Sequence, residues 1–411
     1  MIDSKLVLSD KEYVKRELAK KGYNPEYIDI LVKVIHEIRS QKTVINELCR
    51  ARNEFTGDWA ISGCEKRELR RHISNAQKDL KSYEVFVEKM LLNIPNIPDA
   101  AAPVGLNESD NVVVFESSEY HKCETPNPLP HWDVAGKLGI LDIEGAGKIS
   151  GSRFGLFKGK GAKLLRSLVN YGMALHEDKY SEILPPHLVT TKALTYTGHF
   201  PKFANEQYKC ESDDLWLIPT AEVPMTAVFA GTTFPQGELP QRYMGYTLAF
   251  RRETGATGKE TRGLQRIHEF HKVELLKIVE ADMVSAELDD LLEDCLQIIK
   301  DLKLQYRIVD LCTGEMGDKY ARCFDIEVYS PGVKKWLEVS SVGHFSDYQA
   351  RRAGINYIDG QGKKRTAYTL NGSGVATARV WLSIIETYQQ PDGSVRIPDV
   401  LQPLMGCDVI G

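Results

Sequence analysis

Two apolar series, each stepping alternately by three and four residues, dominate positions 27 to 92. The first runs Ile28, Leu31, Ile35, Ile38, Lys42, Ile45 and Cys49; the second runs Leu69, Ile73, Ala76, Leu80, Tyr83, Val87 and Met90. This spacing keeps each series on one helical face and is the seam of a coiled coil. Between them lies Gly57-Asp58-Trp59-Ala60-Ile61-Ser62-Gly63, a glycine-bounded turn. Two seams of similar length joined by a short turn predict an antiparallel helical hairpin. Pro95, Pro98 and Pro103 then stop the second helix and open an extended linker. The arm and its linker are expected over residues 1–105, and a larger domain over 106–411.

The formal net charge is -5, so the chain of 411 residues as a whole is not a basic nucleic-acid binder. Any RNA contact needs a local basic surface. The hairpin carries one: Arg39, Lys42, Arg50 and Arg52 on its first helix, Lys66, Arg67, Arg70, Arg71 and Lys78 on its second. Clustered Lys and Arg can neutralise a phosphate backbone. Such residues are also routine on a solvated coiled-coil face, so taken alone the arm reads first as a dimerisation or adaptor element. The acidic and polar start, Met1-Ile2-Asp3-Ser4-Lys5, lacks the apolar core of a secretory signal. No stretch approaches the roughly 20 apolar residues that cross a bilayer. Eight cysteines without CxxC pairing read as reduced thiols. A cytoplasmic protein with no membrane association is expected.

From about residue 130 the texture is mixed. Helical patterns cover 162–177, 286–302 and 377–388, and strand-like runs cover 215–219, 246–251, 267–278, 324–329 and 336–340. Strands do not alternate strictly with helices, which argues against a doubly wound parallel sheet. An α+β domain, an antiparallel sheet flanked by helices, is predicted.

The most informative stretch runs from Phe250-Arg251-Arg252-Glu253 through Thr254-Gly255-Ala256-Thr257-Gly258-Lys259-Glu260-Thr261-Arg262-Gly263. It continues into Leu264-Gln265-Arg266-Ile267-His268-Glu269-Phe270-His271-Lys272-Val273-Glu274. Strand-like ends enclose a glycine-rich charged loop, with Arg251 and Arg266 on its two sides. A hairpin with facing arginines suits a bent polyphosphate and a planar base. Gly258-Lys259 is no Walker loop, because Glu253 stands where the earlier glycine belongs and Glu260 replaces the Ser or Thr.

This stretch resembles motif 2 of class II aminoacyl-tRNA synthetases, in their seryl branch. Thr220-Ala221-Glu222-Val223-Pro224 is similar to the branch's serine-site element. Glu338-Val339-Ser340-Ser341, followed by Gln349-Ala350-Arg351-Arg352, matches another signature. Asn371-Gly372-Ser373-Gly374-Val375-Ala376-Thr377-Ala378-Arg379 resembles motif 3, within about residues 368–390, and Ala162 to Pro186 weakly resembles motif 1. Motif 2 then spans about 246–278, and the resemblance covers essentially the whole chain.

The resemblance implies a serine–tRNA ligase: ATP and L-serine form seryl-adenylate, and the seryl group passes to tRNA(Ser), with tRNA(Sec) a further substrate where one exists. It implies a homodimer with motif 1 at the interface, and an arm that grips the long variable arm of the tRNA. It gives catalytic roles to Arg251, Arg379 and Glu338. Arg251 would bridge the serine carboxylate and the α-phosphate, and Glu253 would accept from the adenine amino group. Phe270 would stack on the base, Arg379 would hold the γ-phosphate or the far face of the adenine, and Arg266 is a second candidate for the terminal phosphates. Arg252, Ile267, Val339, Ser340 and Ser341 complete the expected ATP set. Glu338 and Ser341 would hold Mg²⁺, a hard ion that takes oxygen ligands. Serine would meet Thr220, Ala221, Glu222, Arg251, Glu274, Asn371 and Ser373.

Three positions depart from the family's pattern. His199 and His344 are expected near the serine pocket, and Ala378 precedes the motif 3 arginine. A paralogue that charges a carrier protein would lack the arm, which this chain has. A non-catalytic RNA-binding homologue would have eroded ATP residues, yet Arg251, Glu253, Phe270, Glu338 and Arg379 are all present.

Overall fold

The computed structural model describes residues 1–54, 63–254 and 262–411. The expected turn at 57–63 therefore lies outside the described residues, apart from Gly63, and so does the motif 2 loop at 255–261. The chain divides into two units, Met1–Ile97 and Pro98–Gly411.

The first unit is helical. Helices α1 (Ser4–Ser9) and α2 (Lys11–Ala19) precede two long ones, α3 (Glu26–Glu54) and α4 (Gly63–Asn93). Asp3 and Asp10 cap the short helices by accepting from the backbone N–H groups of Lys5 and Tyr13. Val7, Val14, Leu18, Ile28 and Leu31 are fully buried where the short helices meet α3. Helices α3 and α4 pack together. Ile45 and Ile73 are buried, and Ile35, Ile38, Leu69, Leu80, Val87 and Met90 are half-buried among exposed neighbours. The apolar series are thus the faces that meet. Lys42, set in the middle of the first series, is exposed and forms an ion pair with Glu84 of α4 at 2.8 Å. The other basic arm residues, from Arg39 to Lys78, are exposed as well.

The second unit starts at Pro98, so residues 98–105 belong to it and not to the arm. Backbone pairing explains the difference. Asp99 donates to the Ala321 carbonyl (2.8 Å), Thr313 donates to Pro103 (2.9 Å) and Gly314 donates to Gly105 (2.8 Å). Eight strands form its main sheet: β1 (Val112–Glu116), β2 (Ser181–Glu182), β3 (Gln241–Phe250), β4 (Glu269–Val279), β5 (Tyr306–Asp310), β6 (Arg322–Ser330), β7 (Lys335–His344) and β8 (Tyr368–Ala376). Their spatial order is β1-β5-β6-β7-β8-β4-β3-β2. Every pairing is antiparallel except that of the short edge strand β2 with β3. The 215–219 run supplies only Trp216–Leu217, which pairs with Leu188–Val189 away from this sheet.

Helices α5 (Gly159–Ala174), α6 (Val284–Asp301) and α7 (Thr377–Thr387) cover one face of the sheet. The main core lies beneath them, around Val273, Leu275, Leu296, Val342, Leu370 and Trp381. Period-two alternation then leaves the opposite face for polar residues. Among the described residues no helix is long and apolar enough to cross a membrane, and the eight cysteines are all unbridged.

Candidate active site

A cavity of about 460 Å³ opens on the polar face of the sheet. Four adjacent strands supply its floor. Arg251 follows the last residue of β3, Phe270 and Lys272 stand on β4, Glu338 and Ser341 on β7, and Asn371 and Ser373 on β8. Arg379, in the first turn of α7, closes one end.

Residues three apart on a regular strand face opposite sides. On β7 the register slips beside Val339: Ser340 lies opposite Ile326, but Glu338 lies opposite Glu327. This bulge turns Glu338 and Ser341 onto the same face, where the Ser341 hydroxyl donates to Glu338 Oε1 at 3.0 Å. A second slip, at Gly374 between Ser373 and Val375, keeps Ser373 in the cavity while sending Val375 to the core.

At the α7 end, Arg379 Nη1 donates to the Glu338 carbonyl (2.6 Å) and lies 3.4 Å from its carboxylate; Nε donates to the Gln265 carbonyl (3.1 Å). Burial pushes the Glu338 carboxyl up, but Arg379, the Ser341 hydroxyl, Arg251 and Lys272 outweigh it and hold the group below its ordinary range. Arg251 N donates to the His268 carbonyl (2.9 Å), and the His268 ring meets the Arg251 carbonyl (2.8 Å), closing the base of the motif 2 loop. The Arg251 guanidinium sits 5.4 Å from the Phe270 ring centre, and its Nε donates to the Pro219 carbonyl (3.2 Å). Glu253 holds a positive φ of 49°; Arg153 donates to its carbonyl, and Arg266 lies 3.5 Å from its carboxylate.

The opposite end is buried and polar. Thr220 donates to Glu274 Oε2 (2.5 Å), which also pairs with Lys272 (2.6 Å). Glu274 Oε1 is buried with no hydrogen-bond partner among the described residues. Lys319 Nζ lies 2.7 and 2.6 Å from the two oxygens of Glu222, and Gln349 donates to Oε1 at 2.7 Å. Burial would raise the Glu222 carboxyl, but Lys319 and the Gln349 amide keep it below its ordinary value. His199 lines this end and bonds Thr197 at 2.8 Å; burial, then Lys319, pushes its imidazole down to about 3, so the ring is neutral at pH 7.

The cavity thus gathers Arg251, Glu253, Arg266, Ile267, Phe270, Glu338, Val339, Ser341, Arg379, Thr220, Glu222, Asn371 and Ser373. Four expected residues do not line it. Arg252 is exposed and Ala221 packs with Met225 and Leu276. Ser340 ties β7 to β8 by donating to the Ser373 carbonyl (3.0 Å), and Glu274 lies one layer down, behind Thr220 and Lys272. His199 lines the cavity, whereas His344 is buried beside Asp99, 3.4 Å away. The sequence reading missed Lys272, Lys319, Gln265 and Glu206. Lys272 was recoverable from its two-residue offset from Phe270; Lys319 stands in no motif and left no signal.

A family model described as tRNA synthetase class II core domain (G, H, P, S and T) matches residues 208–388. A serine–tRNA ligase of Thermotoga maritima is 41% identical over 432 aligned positions, covering 100% of each chain. The structure resembles that of a seryl-tRNA synthetase from Pyrococcus horikoshii complexed with ATP, at 30% identity and a TM-score of 0.92, covering 100% of this chain and 99% of that one. It also resembles a cytoplasmic serine–tRNA ligase from Naegleria fowleri in complex with AMP, at 26% identity and a TM-score of 0.87, covering 98% and 95%. With sequence likeness running the full length and one cavity uniting three separate motifs, the chain belongs to the seryl-tRNA synthetase family of class II.

Proposed function

We propose that this protein is a serine–tRNA ligase: it activates L-serine with ATP and transfers the seryl group to tRNA(Ser). The observation that carries the reading is the meeting of Arg251, Phe270, Glu338 and Arg379 with Thr220, Glu222 and Ser373 in one cavity. That arrangement of cationic and aromatic side chains beside a buried polar end supports an anion-binding, ring-stacking site next to a serine pocket.

Adenylation joins two anions, so charge neutralisation and in-line positioning carry the rate, and no protein nucleophile is needed. Arg251 lies between the two ends and neutralises both the serine carboxylate and the α-phosphate as the carboxylate oxygen attacks and pyrophosphate leaves. Phe270 stacks on the adenine beside Glu253, and Arg379 and Arg266 take the outer phosphates. Thr220 and Ser373 frame the serine side chain, and the buried Glu274 behind them holds the Thr220 hydroxyl in place. A pocket built to satisfy a hydroxyl refuses alanine, whose methyl leaves those groups unpaired.

Glu338 and Ser341 fit Mg²⁺: a carboxylate and a hydroxyl oxygen 3.0 Å apart at the phosphate end leave room for phosphate and water oxygens. Bound there, the ion would supply further neutralisation of the phosphates.

The exposed basic residues of the arm, Arg39, Lys42, Arg50, Arg52, Lys66, Arg67, Arg70, Arg71 and Lys78, take the variable arm of the tRNA. The same grip extends to tRNA(Sec) where one exists. The protein acts in the cytoplasm as a homodimer formed through the motif 1 region.

The direct test is amino-acid-dependent ATP–pyrophosphate exchange across all twenty amino acids. Exchange with serine alone is expected. Exchange with a different amino acid, or with none, would refute the assignment.

A further inference from the structure

Of the two carboxylates expected at the serine end, Glu222 and Glu274, only Glu222 lines the cavity and can meet the substrate's ammonium group, yet in this structure a cation already occupies it. Lys319 contacts both of its oxygens, at 2.7 and 2.6 Å, and Gln349 takes a further acceptor position at 2.7 Å. Gln349 is itself fixed by the Thr369 hydroxyl, which donates to it at 2.8 Å. The pair is sheltered, with side-chain exposures of 16% for Lys319 and 3% for Glu222.

Lys319 is held in this position. Its ammonium lies 5.3 Å from the Tyr320 ring centre and 5.2 Å from that of Phe345. The two rings stack on each other at 4.7 Å. Two ring faces and a buried carboxylate make a cage for a cation. The cage belongs to the site, because Lys319, Tyr320, His199, Thr220 and Glu222 line one end of the same cavity.

We propose that Lys319 is a specificity-determining residue that competes with the α-ammonium of the amino-acid substrate for Glu222. Substrate binds this carboxylate only in molecules whose Lys319 has swung away or shares it. A ligand that requires a minor state loses affinity in proportion to that state's population. With the open arrangement at about a tenth of molecules, the apparent affinity falls about tenfold. The lysine thereby screens ligands, since an amino acid must bring enough interactions at its hydroxyl and carboxylate to compensate for displacing it. ATP, bound at the other end, is indifferent to it.

The inference rests on reading the cavity as a serine site, and the experiment separates the two. Serine-dependent pyrophosphate exchange would be measured on full-length wild type, Lys319→Met and Lys319→Gln, together with the rise in Tm that serine produces. Methionine keeps an apolar stem between the rings and removes the charge; glutamine keeps a donor toward Glu222 if the methionine variant folds poorly. Removing a buried partner leaves Glu222 uncompensated until substrate arrives. The expected result is a serine KM about tenfold lower, an unchanged ATP KM, and a larger serine-induced rise in Tm. A serine KM that is unchanged or higher in the folded variants would overturn the competition. No serine-dependent exchange in the wild type would instead refute the functional assignment beneath it.

Discussion

Replacing Arg251 by alanine should separate catalysis from folding. The side chain is exposed and makes two modest interactions. One is the 3.2 Å hydrogen bond to the Pro219 carbonyl, and the other is the approach of its guanidinium to 5.4 Å from the Phe270 ring centre. A single hydrogen bond contributes about 1 kcal/mol net, and an exposed cation–π contact about 0.5–1 kcal/mol. The folding loss is therefore about 1–2 kcal/mol, a drop in Tm of about 1–3 °C for a protein of this size. Catalysis should suffer far more, because Arg251 is assigned to the point where two anions are driven together. Removing one preorganised electrostatic contact of this kind costs about 10²–10³-fold in rate. The assay is serine-dependent pyrophosphate exchange at saturating ATP and serine, with Tm recorded on the same preparation. Arg251→Lys should recover only part of the activity, since a point charge cannot reproduce the planar fork. Wild-type exchange in folded Arg251→Ala would refute the role, and so would a rate loss matched by an equal loss of folded protein.

Three other outcomes follow from the structure. Deleting residues 30 to 90 should spare pyrophosphate exchange and abolish tRNA charging, since the basic surface and the cavity belong to separate units; joint loss would mean that the arm does more than bind RNA. Lys277, fully buried, pairs with Glu287 at 2.9 Å and Asp290 at 2.5 Å and donates to the Glu287 carbonyl at 3.1 Å; Glu287 keeps Arg242 and Asp290 keeps Lys179, so Lys277→Met should cost about 1–3 kcal/mol, read as a lower urea midpoint. Asp99 is held at about 2, below its ordinary 3.8, chiefly by its hydrogen bond with His344. Because the folded state binds the proton less readily, this contribution is complete above about pH 4 and lost toward pH 2. Asp99→Asn should therefore lower the urea midpoint at pH 6 but not near pH 2, and an equal loss at both would exclude the ionic cause.

The arm was legible because its information is local and periodic. A seam stepping by three and four survives without knowledge of any partner, and α3 and α4 meet along it. The compact units divide at Ile97/Pro98 and not at the expected 105, because residues 98–105 carry no periodic pattern and pair through their backbone with residues 313, 314 and 321. Helices α6 and α7 lie close to their expected positions, whereas the 215–219 run yields a two-residue strand, because a strand needs neighbours and those it meets, Leu188–Val189 and a single bridge at Lys209, are short.

In the cavity, the chemistry of residues within a motif could be read from the chain: arginines flanking a loop, a carboxylate and a hydroxyl three residues apart, an arginine opening a helix. Which face each would occupy could not, since a single bulge at Val339 decides whether Glu338 and Ser341 meet or point apart. Period-two alternation placed Phe270 in the cavity but could not show that Glu274 ends one layer below it, covered by Thr220 and Lys272. Lys319 marks the limit most clearly. It lies 97 positions from Glu222, outside any motif, and becomes part of the site only when the tertiary fold brings the two together. By itself the sequence determined the elements, their periodicity and the chemical groups available. Tertiary structure alone decided which charges neutralise one another, because an ion pair depends on distance in space and not on separation along the chain.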